Sequence, residues 1–304
     1  DVDVDVDVDV DVDVDVDAYI SMSSCPYLLT QLQINAYQRY GFLKLTNLLS
    51  YINISSKDIS DWCSNIANWN VEEGKDNNSF LQHYELVNNK KVICRTENFV
   101  SSHENLANFV KNNLQAIVSQ LLGTEAQLFN EKINYKNAGG GGFSCHQDSP
   151  AYIGMATEHV TVMVAVDKAT IENGCLQVAL PLPTNTSFST STSSVSSAGC
   201  TSWLPGQIPL DSATGVVTEE AQASMSFAHM ECEPGDILIF SGYLPHRSDS
   251  NTSADSRRAM FLTFNKLEEG DFHTDYYKKK HGGAHGFEAT KTISFQQDFQ
   301  GTVV

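Results

Sequence analysis

No apolar run in this 304-residue chain approaches the roughly 18 residues of a membrane-spanning helix, so no membrane segment is expected. Basic residues are scarce: 19 Lys and Arg stand against 37 Asp and Glu, for a formal net charge of −18. Part of this is local. Residues 1–17 alternate Asp and Val, and setting their nine aspartates aside takes the charge from −18 to −9. An acidic body of this kind is a poor partner for nucleic acid, whose binding rests on Lys and Arg neutralising phosphates. It has equally little to attract it to an anionic membrane surface. Cysteine pairs at metal-binding or redox spacing are missing too. The seven cysteines are odd in number and never form Cys-x-x-Cys, which argues against a zinc knuckle or a disulfide framework. A reducing, cytoplasmic compartment follows as the expectation. The glycines at 139–142 are followed by no Gly-Lys-Ser/Thr, which excludes a phosphate-binding loop. A flexible loop ahead of His146, able to act as a lid, is expected there. The chain opens on Asp1 rather than Met, which leaves room for a targeting peptide ahead of it.

What is present is an ordinary globular composition, 41% hydrophobic and 10% aromatic, in a chain long enough for one large domain. The Asp-Val repeat has the period of a strand, but one edge would be a continuous row of carboxylates. Residues 1–18 therefore read as a disordered tail, and 19–304 as a single domain. Residues 28–49 read as a helix ending near Gly41 and then a short strand, with Leu28, Leu32, Tyr37 and Tyr40 as its apolar face. Residues 56–70 and 101–122 read as two more helices. The second has a partial start signal at Ser102 and a stripe through Leu106, Phe109, Val110, Leu114, Ile117 and Leu121. From Ala126 the apolar period changes to two. Segments 127–136, 159–166, 175–180, 226–232, 236–240 and 258–264 read as short strands, separated by Asn173-Gly174, a hairpin-type pair, and Pro234-Gly235-Asp236. Such strands suit an antiparallel jelly roll, not βαβ units. The fold class expected is therefore mainly β with flanking helices: a helical layer over about 19–125 and a double-stranded β-helix over about 126–304. The Ser/Thr-rich stretch 184–202 reads as a long surface loop, a plain linker first and a flank of the site's mouth as the alternative.

The chemistry lies in one ordered set. His146-Gln-Asp148 stands near mid-chain, His246 follows the apolar run GDILIFSGYLP, and Arg257 comes eleven residues later. Two imidazoles and a hard carboxylate suit mononuclear non-haem Fe(II), binding one face and leaving the other positions open for chemistry. On a strand, residues i and i+2 share a face, so His146 and Asp148 can reach one metal. A lone His-x-Asp is weak evidence. The chain holds a second, His273-Thr-Asp275, which lacks any such downstream context and reads as a surface segment.

Residues 132–304 resemble the phytanoyl-CoA dioxygenase (PhyH) family of Fe(II)/2-oxoglutarate oxygenases. The matching stretches are HQD at 146–148, VTVMVAVDKATIENGCL at 160–176, PGDILIFSGYLPHRS at 234–248 and RRAMFLTFN at 257–265. RTENF at 95–99 and KINYK at 132–136 further resemble the branch that hydroxylates 2-aminoethylphosphonate and its trimethylated analogue. The resemblance implies that His146, Asp148 and His246 ligate the iron. It implies that Arg257 clamps the distal carboxylate of 2-oxoglutarate, with Ser248 donating to the same group. Asn134, Lys132 and Thr161 are implied as further cosubstrate residues, and O2 as the oxidant. Arg258 should point the other way, into a surface ion pair. One departure stands out: many members carry Pro-Gly-Ser-His where this chain reads ALPLPTNTSF at 179–188. Asp148 is intact, so a halogenase is not indicated.

An aminophosphonate needs basic groups for the phosphonate and aromatic or acidic groups for the ammonium. Arg95 is the main anion candidate, with Lys136 and Arg247 behind it, and Tyr135 and Tyr152 are candidates for the ammonium. Two other readings stay open. The same catalyst could act on another small amine or amino acid, ectoine- or proline-like. A jelly roll could also hold the metal for binding or structure alone, a reading that gives Arg257 and Ser248 no task. The expected partner is a small molecule, not nucleic acid or membrane; oligomeric state leaves no mark on the pattern.

Overall fold

The chain enters its fold through a capped helix. Thr30 Oγ1 accepts from Gln33 N at 3.3 Å while Gln33 Oε1 accepts from Thr30 N at 2.8 Å, a reciprocal box that starts α1 (Gln31–Tyr40). Gly41 ends the helix at φ +79°. In this computed structural model the described residues are 27–69, 80–152, 154–181, 203–212, 214–281, 299–302 and 304. The Asp-Val tail and the Ser/Thr-rich stretch 184–202 lie outside them. The apolar face expected of α1 is only partly right. Tyr37 is buried, but Leu28 and Leu32 are 58% and 62% exposed.

After α1 come β1 (Phe42–Leu45), α2 (Leu48–Tyr51) and α3 (Ser56–Ala67). A second capping box, Ser55 with Asp58, starts α3, which buries Ile59, Cys63 and Ile66 at helical spacing. A hairpin follows that the helical-layer expectation did not contain: β2 (Leu81–Val87) pairs antiparallel with β3 (Lys90–Glu97). Its turn is Asn88-Asn89, both left-handed at φ +50° and +62°, a conformation asparagine tolerates better than most side chains. The helix expected over 101–122 is present in two pieces, α4 (Glu104–Phe109) and α5 (Gln115–Leu122), joined by a π-helical turn at Val110–Leu114. Its cap is His103, whose Nδ1 accepts from Leu106 N at 3.3 Å, not Ser102. All six stripe residues are buried.

The remaining elements are β4 (Ala126–Lys136), β5 (Phe143–His146), β6 (His159–Ala165), β7 (Leu176–Ala179), α6 (Glu219–Ala223), β8 (Phe227–Met230), β9 (Ile237–Ser241), β10 (His246–Ser248), β11 (Arg257–Lys266) and α7 (His273–His281). They build two antiparallel sheets, seven strands in the order β1-β9-β6-β11-β4-β3-β2 and four in the order β5-β10-β7-β8. Phe240 of the large sheet lies 4.9 Å, ring to ring, from His246 of the small one, so the sheets face each other across the site. This is the expected jelly roll. α3 and α5 pack against the large sheet; Arg258 reaches through to Ser60 and Ser64 of α3 and pairs with Asp167 at 2.8 Å. Strand alternation then divides the residues. Ile133 and Tyr135 of β4 join the core, while Lys132, Asn134 and Lys136 line the interior cavity.

Three sequence readings are corrected here. Asn173-Gly174 closes no hairpin, because β6 and β7 belong to different sheets and the turn carries the chain between them. The 139–142 glycines are not a lid. Gly139 N donates to Asn251 O (2.9 Å), Gln300 N donates to Gly142 O (2.9 Å), and a Cβ on Gly142 would overlap Ser248 O, so these glycines permit close backbone packing. His273 is no free surface residue: its Nε2 lies 2.8 Å from buried Glu131 Oε2 and opens α7, which buries Tyr276 and Tyr277.

Candidate active site

The small sheet carries the centre. β5 and β10 pair antiparallel with His146 and His246 in register, and their rings are 4.3 Å apart. Each ring is oriented from behind. His146 Nδ1 lies 2.7 Å from Ser144 O, and His246 Nδ1 lies 2.9 Å from Leu244 O. A carbonyl can only accept, so both Nδ1 atoms carry a proton and both Nε2 atoms are left to face the centre. The two Nε2 atoms lie 3.8 and 3.9 Å from Asp148 Oδ1. Among the described residues these three side chains form the one His/Cys/Asp/Glu group with ligand atoms all within 4.8 Å of one another.

Asp148 reaches this position differently from the strand-face expectation. β5 ends at His146, and Asp148 sits in the turn that leads to a single 3-10 turn at Ser149–Tyr152. That turn is tied to the segment ahead of His246: Ser149 N donates to Gly242 O at 2.9 Å, and Gln147 Nε2 donates to Tyr243 O. Gly242 is needed there, because a Cβ would overlap Ser149 Oγ. Thr161 also differs from expectation. Its hydroxyl donates to Asp148 Oδ2 at 3.2 Å, so it positions a ligand and does not line the cavity.

The electrostatics suit a divalent cation. Burial would raise the Asp148 pKa, but Lys132, His246 and His146 hold it well below the usual carboxylate range. Burial, followed by the neighbouring His146, pushes His246 down to about 4, which keeps it neutral as a ligand must be. Two imidazoles and one carboxylate, with ligand atoms converging on one point, fit Fe(II).

The centre opens into a cavity of about 730 Å³. At one end lie Arg257, Ser248 and Lys136. Ser248 is two residues beyond His246 on β10, hence on the same face, and Arg257 pairs across from Lys136. Lys136 Nζ donates to Ser248 Oγ (2.8 Å), Asp249 O (2.5 Å) and Gly174 O (3.3 Å). Arg257 is 5% exposed, donates from a terminal nitrogen to Gly174 O, and keeps a buried Nε without a hydrogen-bond partner among the described residues. Burial lowers its pKa to about 10, so it stays charged at neutral pH. A buried guanidinium with a donor to spare is made for an anion.

At the other end stand Arg95, Glu97, Tyr152, Tyr276 and Lys280. Arg95 Nε donates to Asn134 Oδ1 at 2.8 Å and its guanidinium lies 5.3 Å from the Phe143 ring centre. Asn134 therefore lines the cavity and steers Arg95. Tyr152 packs against Phe129 at 4.7 Å and Tyr276 at 5.8 Å. Tyr135 borders the cavity, but its hydroxyl points to the helical side, 3.2 Å from Thr96 Oγ1, where Cys63 and Arg258 act on it. The alternation that brings Asn134 inward sends its neighbour outward. Arg247 borders the cavity but its guanidinium is engaged, donating to Gln177 Oε1 at 2.9 Å and stacking on Phe227. Sequence reasoning missed Glu97, Tyr276 and Lys280 and underrated Lys136. The signal for the α7 residues was there in the spacing of Tyr276, Tyr277 and Lys280 behind the second His-x-Asp, but nothing local tied that helix to this cavity.

A family model described as phytanoyl-CoA dioxygenase (PhyH) matches residues 37–259. Over 255 residues the chain is 34% identical to 2-aminoethylphosphonate dioxygenase from an uncultured bacterium, which covers 83% of this chain and 87% of that one. It is 31% identical over 253 residues to methylphosphonate hydroxylase of Gimesia maris, covering 83% and 86%. Among solved structures, EctD from S. alaskensis with 2-oxoglutarate and 5-hydroxyectoine aligns with a TM-score of 0.58 at 18% identity, covering 81% of this chain and 78% of that one. The α-ketoglutarate-dependent carbocyclase SnoK of nogalamycin biosynthesis aligns with a TM-score of 0.54 at 13% identity, covering 81% and 87%. At these identities the likeness to solved structures is one of fold.

Proposed function

The chain belongs to the phytanoyl-CoA dioxygenase (PhyH) family, and from that premise we propose that it hydroxylates an aminoethylphosphonate at the carbon bonded to phosphorus. The reaction is that of a 2-oxoglutarate-dependent dioxygenase, with O2 as oxidant and succinate and CO2 as co-products. The observation that carries this reading is the buried Nε of Arg257, unpartnered among the described residues in a cavity that also holds the His146–Asp148–His246 centre. A structural or merely binding metal would have no use for that guanidinium.

Each residue has a task. His146, Asp148 and His246 hold Fe(II), which when bound supplies the oxidising power that the side chains lack. Ser144 O and Leu244 O fix the imidazole tautomers, and Thr161 fixes the carboxylate. Arg257 and Ser248 take the distal carboxylate of 2-oxoglutarate, with Lys136 bracing Ser248 and adding charge. Lys132 and Asn134 flank the same cavity between the two ends. Tyr152 offers an aromatic wall to the substrate's cationic end.

The substrate class is supported by the two phosphonate-acting relatives, which align over more than four fifths of the chain. A reducing intracellular compartment is proposed with it, in keeping with Cys63, Cys94, Cys145, Cys175 and Cys232, all free and buried. No helix among the described residues is long and apolar enough to cross a membrane. The test is succinate formation by the purified protein with Fe(II), O2 and 2-oxoglutarate. Addition of 2-aminoethylphosphonate or its trimethyl analogue should accelerate it. Stimulation by ectoine- or proline-like compounds and by no phosphonate would reject the substrate.

A further inference from the structure

Resting on that reading, we infer that Arg95 and Lys280, held apart and aimed by Glu97, form the binding site for the substrate's phosphonate group. Glu97 and Arg95 come from β3, while Lys280 comes from the last turn of α7, far away in sequence. Lys280 Nζ donates to Glu97 Oε2 at 2.5 Å, and an Arg95 terminal nitrogen lies 3.5 Å from Glu97 Oε1. The side chains of Arg95, Glu97 and Lys280 are 6%, 2% and 11% exposed.

The charges in this group do not cancel. Burial works against the Glu97 carboxylate, but Lys280 and Arg95 hold it near 2, so it stays an anion and offsets one cation only. Lys132, on the same inner face, acts on the Asp148 carboxylate and is not counted in this group. Of the other carboxylates on the cavity lining, Glu85 accepts from Gly141 N at 3.3 Å and Asp211 from Thr214 N at 2.8 Å. A net positive charge on three side chains so far removed from water is costly, and burial does depress the Lys280 pKa. A ligand that brings two negative charges and three acceptor oxygens removes the cost. That description fits a phosphonate dianion better than a carboxylate, which brings one charge and two oxygens.

Glu97 serves as the aiming device. Bridging both cations, it fixes a guanidinium and an ammonium at separate positions around one point, where long side chains would otherwise lose rotamer entropy on binding. Phe143 beneath the Arg95 guanidinium and Tyr276 beside Lys280 limit water around the pair.

The experiment titrates protein loaded with Mn(II) and 2-oxoglutarate with 2-aminoethylphosphonate, alongside steady-state turnover with Fe(II). Lys280→Met should raise both Kd and KM for the phosphonate at least about tenfold, the loss of one charge-assisted contact. Lys280→Arg should stay within a few-fold of wild type, and Lys278→Met, on the exposed side of α7, should change nothing. Affinity for 2-oxoglutarate should hold in all three. In wild type, inorganic phosphate should compete with the phosphonate and ethanolamine should not, a result that needs no variant to fold. Wild-type phosphonate affinity in Lys280→Met, or competition by ethanolamine alone, overturns this site and leaves the phosphonate reading standing. Lys280-dependent binding without turnover overturns the proposed reaction alone, and absence of phosphonate binding in wild type overturns both.

Discussion

Thr161 Oγ1 lies 3.2 Å from Asp148 Oδ2, so a hydroxyl from the middle of the large sheet holds a metal ligand carried by the turn after β5. The same hydroxyl is 3.0 Å from Thr263 Oγ1, in a place without solvent. Thr161→Val keeps the shape and removes the donor. Fe(II) affinity should fall about tenfold, the usual cost of losing a hydrogen bond behind a metal ligand. Iron titration followed by activity at saturating iron checks this; unchanged affinity would show that Asp148 needs no such support.

Arg257→Lys tests the cosubstrate end. Lysine keeps the charge but loses the planar fork and the spare Nε donor. The KM for 2-oxoglutarate should rise about tenfold to a hundredfold, as expected for a charged hydrogen bond worth about 1.5–3 kcal/mol. The KM for the phosphonate should stay within a few-fold. Parallel rises in both would place Arg257 in general folding support.

Lys136 carries a pH prediction. Burial, with Arg257 beside it, pushes its pKa from 10.5 down to about 7, against the pull of Asp249, Cys175 and Glu85. The folded state therefore releases this proton near pH 7 and the unfolded chain near 10.5. The destabilisation is fully present below pH 7 and is relieved as pH rises through that window. Cosubstrate binding follows the opposite sign, because only the ammonium attracts a carboxylate. The KM for 2-oxoglutarate should rise as pH climbs above about 7. Lys136→Met should flatten the profile, with Arg257 supplying the remaining affinity. A slope unchanged in Lys136→Met would assign the titration to another group.

Tyr135→Phe separates the two faces of β4. The Tyr135 hydroxyl touches Thr96 on the helical side, so its removal should cost about 1 kcal/mol of stability. The phosphonate KM should be unaffected. A large rise in that KM with an unchanged melting temperature would return Tyr135 to the substrate pocket.

The order His146, Asp148, His246, Arg257 was legible because metal chemistry restricts residue types, and because the apolar run before His246 marks a strand ending at a site. The switch from helical to alternating period announced the jelly roll for a similar reason: burial on one face imprints a period on the chain. The hairpin of β2 and β3 escaped notice since its strands are mixed in polarity and its Asn-Asn turn lacks glycine. Long-range placement was beyond any local signal. The sequence cannot say that α7 lays Lys280 against Glu97, 183 residues away, or that Tyr135 and Asn134 part to opposite faces of a twisted sheet. Residue types and spacing singled out a candidate metal centre of two imidazoles and one carboxylate, because coordination requires particular atoms in a particular order. Only the packing of β3, β4 and α7 decided which charges meet in the cavity, because the energy of buried charge depends on neighbours brought together by folding.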